Sequence, residues 1–360
     1  MKRIFIIVLI FLSVLTSCKQ NNSLIIDFSN SAIEYSGRID TVSLQAAQIS
    51  WSGSSVKLNF KGKSVHAMFS DENGENYYNI FIDNKLSSVL KLDTIKRYYE
   101  LASNLKKGKH SVEIFKRTEW GNGLSNFYGF KIDNGEILPK SIAKKRKMEF
   151  FGNSVSAGFA IEDFSGRDLY DSIYTNNYKS YTALTARHYD AKYHCICKSG
   201  IGVTISWDSL IMPDIYDKLI PTDSSSFWDF SSYSPDIVVV NLFQNDSYLV
   251  DLPDHEEYIK RFNKTPPTDN QLINAYQNFI QNLRNQYPKA NIICTLGSMD
   301  AAKKDSKWIK YIKTAVDKLK DDKIYTHIMP YIESNAHPSV EDNEIMSKDL
   351  INFIDNHIDW

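Results

Sequence analysis

Cysteine is scarce in this chain, with four residues, at positions 18, 195, 197 and 294. The last three are odd in number, and each falls in an apolar run that reads as a core strand, so buried free thiols are expected. A 195–197 bridge is not expected, because residues i and i+2 of a strand are separated by more rise than relaxed disulfide geometry allows. No Cys/His spacing matches a zinc site, and neither a metal nor a cofactor is expected. No charge sign is in excess: 42 Lys and Arg face 43 Asp and Glu, for a formal net charge of -1. That balance gives no reason to expect a nucleic-acid partner. Long apolar runs are missing as well, and Ile4 to Val14 is too short to span a bilayer comfortably.

What is present begins with a positive start, Met1-Lys2-Arg3, followed by that apolar run and by Leu15-Thr16-Ser17-Cys18. Polar Lys19-Gln20-Asn21-Asn22 comes next. The segment resembles the lipobox of bacterial lipoproteins. The resemblance implies a signal peptide over residues 1–17, removed before Cys18, and a lipid on the Cys18 sulfur. It also implies an exported, membrane-anchored protein, periplasmic or at the cell surface, held off the membrane by a tether over residues 18–29.

Residues 30–134 carry mostly β signals. Ser55 to Phe60, Ser64 to Phe69 and Lys109 to Phe115 alternate in polarity, as half-buried strands do. Between such runs stand Asp71-Glu72-Asn73-Gly74, Asp83-Asn84 and Lys106-Lys107-Gly108, all good turn formers. The pattern predicts an antiparallel sandwich of jelly-roll type. Trp51, Tyr77, Tyr78 and Trp120 are read as core or turn aromatics. Residues 135–147, with Pro139 and Lys144-Lys145-Arg146-Lys147, read as an exposed linker.

From residue 148 to 360 the pattern changes. Apolar runs at 147–151, 192–197, 236–241, 290–295 and 323–328 suit fully buried parallel strands. Leu272, Tyr276, Phe279, Ile280 and Leu283 recur at helical spacing, as do Trp308, Ile309, Ile312, Ala315, Val316 and Leu319. Ile345, Met346, Leu350, Ile351 and Ile354 mark a last helix. Alternating strands and helices predict a three-layer α/β domain with a parallel sheet.

Four polar segments fall at the predicted strand ends or the loops beyond them: Gly152-Asn153-Ser154, Ser199-Gly200-Ile201-Gly202, Phe243-Gln244-Asn245-Asp246 and Ala336-His337-Pro338. Loops beyond the carboxyl ends of parallel strands converge on one rim. A hydroxyl, amide donors beside glycine, a carboxamide and an imidazole would then meet there. A serine hydroxyl needs a neutral imidazole to take its proton as it attacks. The negative oxygen formed on the acyl carbon needs preorganised donors, here the Ser154 N–H, the Gly200 N–H and the Asn245 side-chain amide.

These blocks resemble those of the SGNH/GDSL hydrolases, and the two-domain order resembles carbohydrate esterase family 2. The resemblance covers nearly all of the chain beyond the leader. It implies Ser154 as nucleophile, His337 as base, Ser154, Gly200 and Asn245 as the oxyanion site, and an acetylated polysaccharide or oligosaccharide as substrate. Phe115-Lys116-Arg117-Thr118-Glu119 also resembles a stretch of that family's sandwich domain.

Two departures stand out. Phe243 occupies a position usually held by glycine, and Ser334 stands three before the base, where Asp is frequent. A Ser–His dyad, its imidazole oriented by a backbone carbonyl or another group, is the first expectation for His337. Orientation by Glu333 is the second. Phe159, Trp207 and Phe243 are candidates for an acyl pocket or a sugar-stacking surface, although each also suits core packing. Alternatives to a carbohydrate acetylesterase are another acyl hydrolase acting on small or lipid esters, and an inactive glycan-binding surface lipoprotein.

Overall fold

Along Val65–Asp71 every second side chain is buried, the two-residue period of a strand with one face on a core. The computed structural model describes residues 23–42 and 45–360. Its first domain is built from such strands: β1 (Ser23–Asp27), β2 (Glu34–Ser36), β3 (Ile39–Asp40), β4 (Ala47–Ile49), β5 (Ser55–Lys61), β6 (Val65–Asp71), β7 (Tyr77–Ile82), β8 (Lys85–Lys91), β9 (Arg97–Ala102), β10 (Lys109–Lys116), β11 (Ser125–Asp133) and β12 (Glu136–Ile137). One sheet runs β3-β4-β11-β6-β9 with β1 added to β11, the other β12-β5-β10-β7-β8 with β2 added to β5. All pairings are antiparallel, and the two sheets enclose Phe60, Phe69, Tyr78, Phe127 and Phe130 in a jelly-roll-like sandwich. Asp83 and Asn84 both take positive φ (51° and 62°) between β7 and β8, a two-residue hairpin whose twist matches its strands.

The second domain follows the apolar runs. Strands β13 (Lys147–Gly152), β14 (Lys192–Cys197), β15 (Ile237–Asn241), β16 (Asn291–Leu296) and β17 (Ile324–Ile328) form one parallel sheet in the order β14-β13-β15-β16-β17. The helices are α1 (Ser154–Ala157), α2 (Tyr181–His188), α3 (Met212–Ile215), α4 (Gln244–Leu249), α5 (Glu256–Phe262), α6 (Asp269–Gln286), α7 (Lys307–Leu319) and α8 (Val340–His357). Alternate strand residues face opposite sides. Phe151, Val238, Val240, Ile292 and Cys294 pack under α6 and α7, while Phe150, Cys195, Val239 and Ile293 pack under α2 and α8. This is the three-layer arrangement expected, and Cys195, Cys197 and Cys294 are buried and free.

Two boundaries differ from the sequence reading. Ser23–Asp27 is not tether but strand, pairing residue for residue with Asp133 back to Gly129 of β11. Its Leu24 and Ile26 alternate toward the sandwich core, a pattern too short to stand out beside the polar residues before it. Glu136–Ile137, expected in the linker, adds an edge to β5. The leader and Cys18 lie outside the described residues. Among the described residues no helix is long and apolar enough to cross a membrane.

The domains share a buried polar seam. Trp51, fully buried, joins the core of the second domain and donates its indole N–H to the Leu219 carbonyl (3.0 Å). Arg38, also fully buried, donates Nε and Nη2 to Glu149 Oε1 (3.2 and 3.0 Å) and Nη1 to the Tyr216 carbonyl (2.5 Å). Tyr287 donates its hydroxyl to Glu149 Oε2 (2.5 Å). Burial pushes the Glu149 carboxyl up, but Arg38, His194 and Tyr287 outweigh it and hold the group below its ordinary value. Its stabilising contribution is therefore complete above the usual carboxylate range and lost as pH falls through the lowered value.

Removing only the guanidinium, in Arg38→Met, strands a buried carboxylate and is expected to cost about 3–5 kcal/mol at pH 7. The loss should be smaller at pH 5, because an unpaired buried carboxyl takes up a proton more readily when folded than when unfolded. Chemical denaturation at the two pH values measures this. Equal losses, or none, would remove the ion pair as the lock between the domains.

Candidate active site

The site forms where β13 runs out. Gly152 ends the strand with no room for a side chain, since a Cβ there would lie 2.2 Å from Ser156 Oγ. Asn153 caps the one-turn α1, its side chain accepting from the Val155 N–H at 3.1 Å. Ser154 is the first residue of that turn. The loop before α8 brings His337 over it, with Nε2 2.8 Å from Ser154 Oγ.

The opposite ring nitrogen settles how the imidazole is held. His337 Nδ1 lies 2.8 Å from Asp168 Oδ2, and the His337 backbone N–H donates to Asp168 Oδ1 at 2.9 Å. The carboxylate thus fixes ring and backbone together. With Nδ1–H donating to Asp168, Nε2 is left as the acceptor facing the hydroxyl. The orienting group is therefore a third one, neither the backbone carbonyl nor Glu333. Glu333 is exposed, and no backbone carbonyl among the described residues bonds to the ring; Ser334 accepts from the Ala336 N–H at 3.0 Å.

Asp168 sits at positive φ (55°) in the connection between α1 and α2. That loop is fastened by Asp163, which accepts from the Ser165 N–H (3.0 Å) and hydroxyl (2.6 Å) and from the Leu169 N–H (2.9 Å). Partial burial pushes the Asp168 carboxyl up, but the hydrogen bonds from His337 prevail and hold it low. The contact is thus complete at neutral pH and dissolves only as pH falls through that lowered value.

On the other flank, the loop after β14 carries Gly200 at φ 78°. A Cβ at Gly200 would lie 3.2 Å from Trp207 Cβ. Asn245, in the first turn of α4, donates Nδ2 to the Ile201 carbonyl (2.8 Å) and accepts from Trp207 Nε1 (3.1 Å). One amide hydrogen of Asn245 remains beyond that bond. Asp246 anchors the same loop by accepting from the Val203 (3.0 Å), Thr204 (2.7 Å) and Ile205 (3.3 Å) amides; burial nevertheless pushes its carboxyl up.

The aromatic candidates separate. Phe159 rests edge-on against the His337 ring, with centroids 4.9 Å apart. Trp207 stands beside the Asn245 amide, edge-on to His255, and is 47% exposed. Phe243 does not line the site. It is fully buried against Tyr276 and Trp308, and its φ of 86° explains why glycine suits that position. Asp168 was missed because an aperiodic loop gives a carboxylate no spacing relation to the histidine it meets. No group of three or more His, Cys, Asp or Glu side chains placed to hold a metal ion occurs among the described residues.

A three-layer α/β domain with serine, imidazole and carboxylate in line at its strand ends, preceded by a sandwich, defines a class: two-domain proteins equipped for acyl transfer. The comparisons agree in kind. Residues 35–140 match the family model described as Carbohydrate esterase 2 N-terminal. Over 345 residues the chain is 30% identical to a cellulase/esterase of Acetivibrio thermocellus, covering 93% of this chain but only 40% of that protein's length. Over 359 residues it is 27% identical to an acetylxylan esterase/glucomannan deacetylase of Cellvibrio japonicus, covering 96% of each. A solved family two carbohydrate esterase from Clostridium thermocellum, in complex with cellohexaose, is similar with a TM-score of 0.80 and 29% identity over 90% of this chain and 98% of that one. Over most of its length the chain is similar to family 2 carbohydrate esterases.

A fluorophosphonate probe should label Ser154. Asp168→Asn, which cannot hold the same tautomer, should slow labelling on the order of 10²–10⁴-fold, and Glu333→Gln should leave it unchanged. Time-resolved mass spectrometry of the labelled peptide measures both. Full-rate labelling of the Asp168→Asn variant would remove the carboxylate from the relay.

Proposed function

We propose that this protein is a serine esterase of the SGNH type that removes O-acetyl groups from plant-type polysaccharides or their oligosaccharides. The observation that carries the reading is the line of contacts from Ser154 Oγ to His337 to Asp168. In this mechanism His337 Nε2 takes the Ser154 proton as the oxygen attacks the acetyl carbonyl. The Ser154 and Gly200 amides and the Asn245 carboxamide stabilise the oxyanion. Collapse breaks the ester bond, and His337 returns the proton to the departing sugar oxygen. Water, deprotonated by the same imidazole, then attacks the acetyl-serine and releases acetate, restoring the Ser154 hydroxyl. Asp168 keeps Nε2 as the accepting nitrogen and stabilises the imidazolium formed in each half-reaction.

The substrate class rests on the relatives. The C. japonicus relative is described as acting on acetylxylan and glucomannan, and the C. thermocellum enzyme is described in complex with cellohexaose. The half-exposed Trp207 beside Asn245 suits stacking on a sugar ring. The N-terminal segment supports an exported protein anchored through a lipid on Cys18, with its substrate outside the cytoplasm.

Acetate release from acetylated glucomannan and xylan tests the reading. Ser154→Ala should lower kcat/KM by about 10⁴-fold or more, and acetyl esters should be turned over faster than longer acyl esters. Unimpaired release by the Ser154→Ala variant would end the serine mechanism. A preference for long acyl chains would shift the substrate class to lipid esters.

A further inference from the structure

The Gly200 amide faces an exacting requirement. To serve an oxyanion it must keep its hydrogen free inside a loop whose other amides are occupied. The loop meets it. Ser199 N–H donates to Glu119 Oε2 (2.5 Å), Ile201 N–H to the Lys198 carbonyl (3.3 Å) and Gly202 N–H to Ser206 Oγ (2.9 Å). The Val203, Thr204 and Ile205 amides go to Asp246. Among the described residues, Gly200 N–H is the one amide from Ser199 to Ile205 without a protein acceptor.

What holds the Ser199–Gly200 peptide plane comes from both domains. Its carbonyl end accepts from Lys198 Nζ (3.1 Å). Just upstream, Ser199 is gripped twice by one carboxylate, its N–H on Glu119 Oε2 and its hydroxyl on Glu119 Oε1 (2.5 Å). Glu119 lies beyond β10, in the sandwich domain, and is itself fixed. Lys116 Nζ donates to its carbonyl (3.0 Å) and to Asn76 Oδ1 (2.6 Å), and Thr118 Oγ1 also donates to Asn76 Oδ1 (2.5 Å). Asn76 is tied in turn to Asp71 Oδ2 (2.8 Å). Glu119, Lys116 and Thr118 are all buried. Two acceptor oxygens facing two donors on one residue fix position and orientation together, as one contact would not.

We infer that Glu119 is a positioning residue for the oxyanion site: the sandwich domain reaches across the interface and sets the peptide whose Gly200 N–H receives the acyl oxygen. The inference rests on the esterase reading above. The sandwich domain is on this view a working part of the active site, and the 115–119 stretch is where it enters.

A graded series in the full-length chain tests this. Glu119→Gln keeps one acceptor, Glu119→Ala keeps none, and Ser199→Ala leaves the carboxylate with the N–H alone. For an acetyl ester, Glu119→Ala should lower kcat roughly 10- to 100-fold, part of the loss expected for deleting an oxyanion donor outright, with KM nearly unchanged. Glu119→Gln and Ser199→Ala should fall between it and the parent. Affinity for a trifluoromethyl ketone analogue should drop by the same factor as kcat/KM, and combination with Asn245→Ala should be non-additive. Parental kcat in Glu119→Ala, or a kcat loss with unchanged analogue affinity, overturns the proposal. Should Glu119→Ala fail to fold, parental kcat and analogue affinity in both Glu119→Gln and Ser199→Ala overturn it equally. Hydrogen exchange over residues 198–203 reads the loop without turnover: exchange about tenfold faster in the folded variant supports the grip, and unchanged exchange overturns it. If the parent and Ser154→Ala prove equally inactive, the esterase reading alone has failed, and the exchange result still decides the role of Glu119 in holding the loop.

Discussion

An imidazole accepts a proton from a serine hydroxyl only while its other nitrogen keeps a hydrogen, and something must make that tautomer the more stable one. Here that is the bond between His337 Nδ1 and Asp168 Oδ2. The second oxygen of the same carboxylate receives the His337 backbone N–H, so rotation of the ring and drift of its loop are opposed by one group. The chemistry needs an acceptor at Nδ1, not a particular chain position for it. Any loop that reaches the rim of the sheet can supply one. In this chain the loop between α1 and α2 does so, through a left-handed aspartate backbone and a turn fastened by Asp163.

The same constraint runs through the domain boundary. Arg38 and Glu149 are fully buried, and taking two charges out of water is unfavourable unless further hydrogen bonds satisfy what remains. The Tyr216 carbonyl and the Tyr287 hydroxyl supply those bonds. At the other end of the boundary Arg117 pairs with Glu162 and donates to the Ile173 carbonyl (2.8 Å). Directional contacts of this kind resist sliding where an apolar seam would tolerate it. A site whose flanking loop is bonded to the other domain through Ser199 and Glu119 gains from that resistance, because a displacement of about 1 Å can cost two orders of magnitude in rate.

Much of this could be read from the residues. The five parallel strands follow the apolar runs, because a strand buried on both faces must be apolar throughout. Ser154 and His337 meet at the sheet's rim as that topology dictates. What escaped has physical causes. Asp168 lies in a loop with no periodicity to betray its direction. For Phe243 the residues leave both a pocket wall and core packing open, and its positive φ decides for the core, against Tyr276. Ser23–Asp27 is a strand whose only strong sequence signal is three apolar residues, and its partner β11 lies a hundred residues away.

Asp168 and the first strand were hidden by long-range polar contacts. Apolar burial is nearly additive along the chain, so a window of a few residues reports it. A hydrogen bond depends on where two distant groups arrive, and no window contains both. Glu119 shows the consequence. In sequence it closes a stretch that resembles a known sandwich domain but has no partner in view; in the fold it is the acceptor for two donors of Ser199, eighty positions away. A carboxylate is costly to bury unless it is so occupied, and its position is therefore informative. Four buried acids of this protein are bound to donors on distant segments, Asp71, Glu119, Glu149 and Asp246, and each marks a place where separate pieces of chain are held in register.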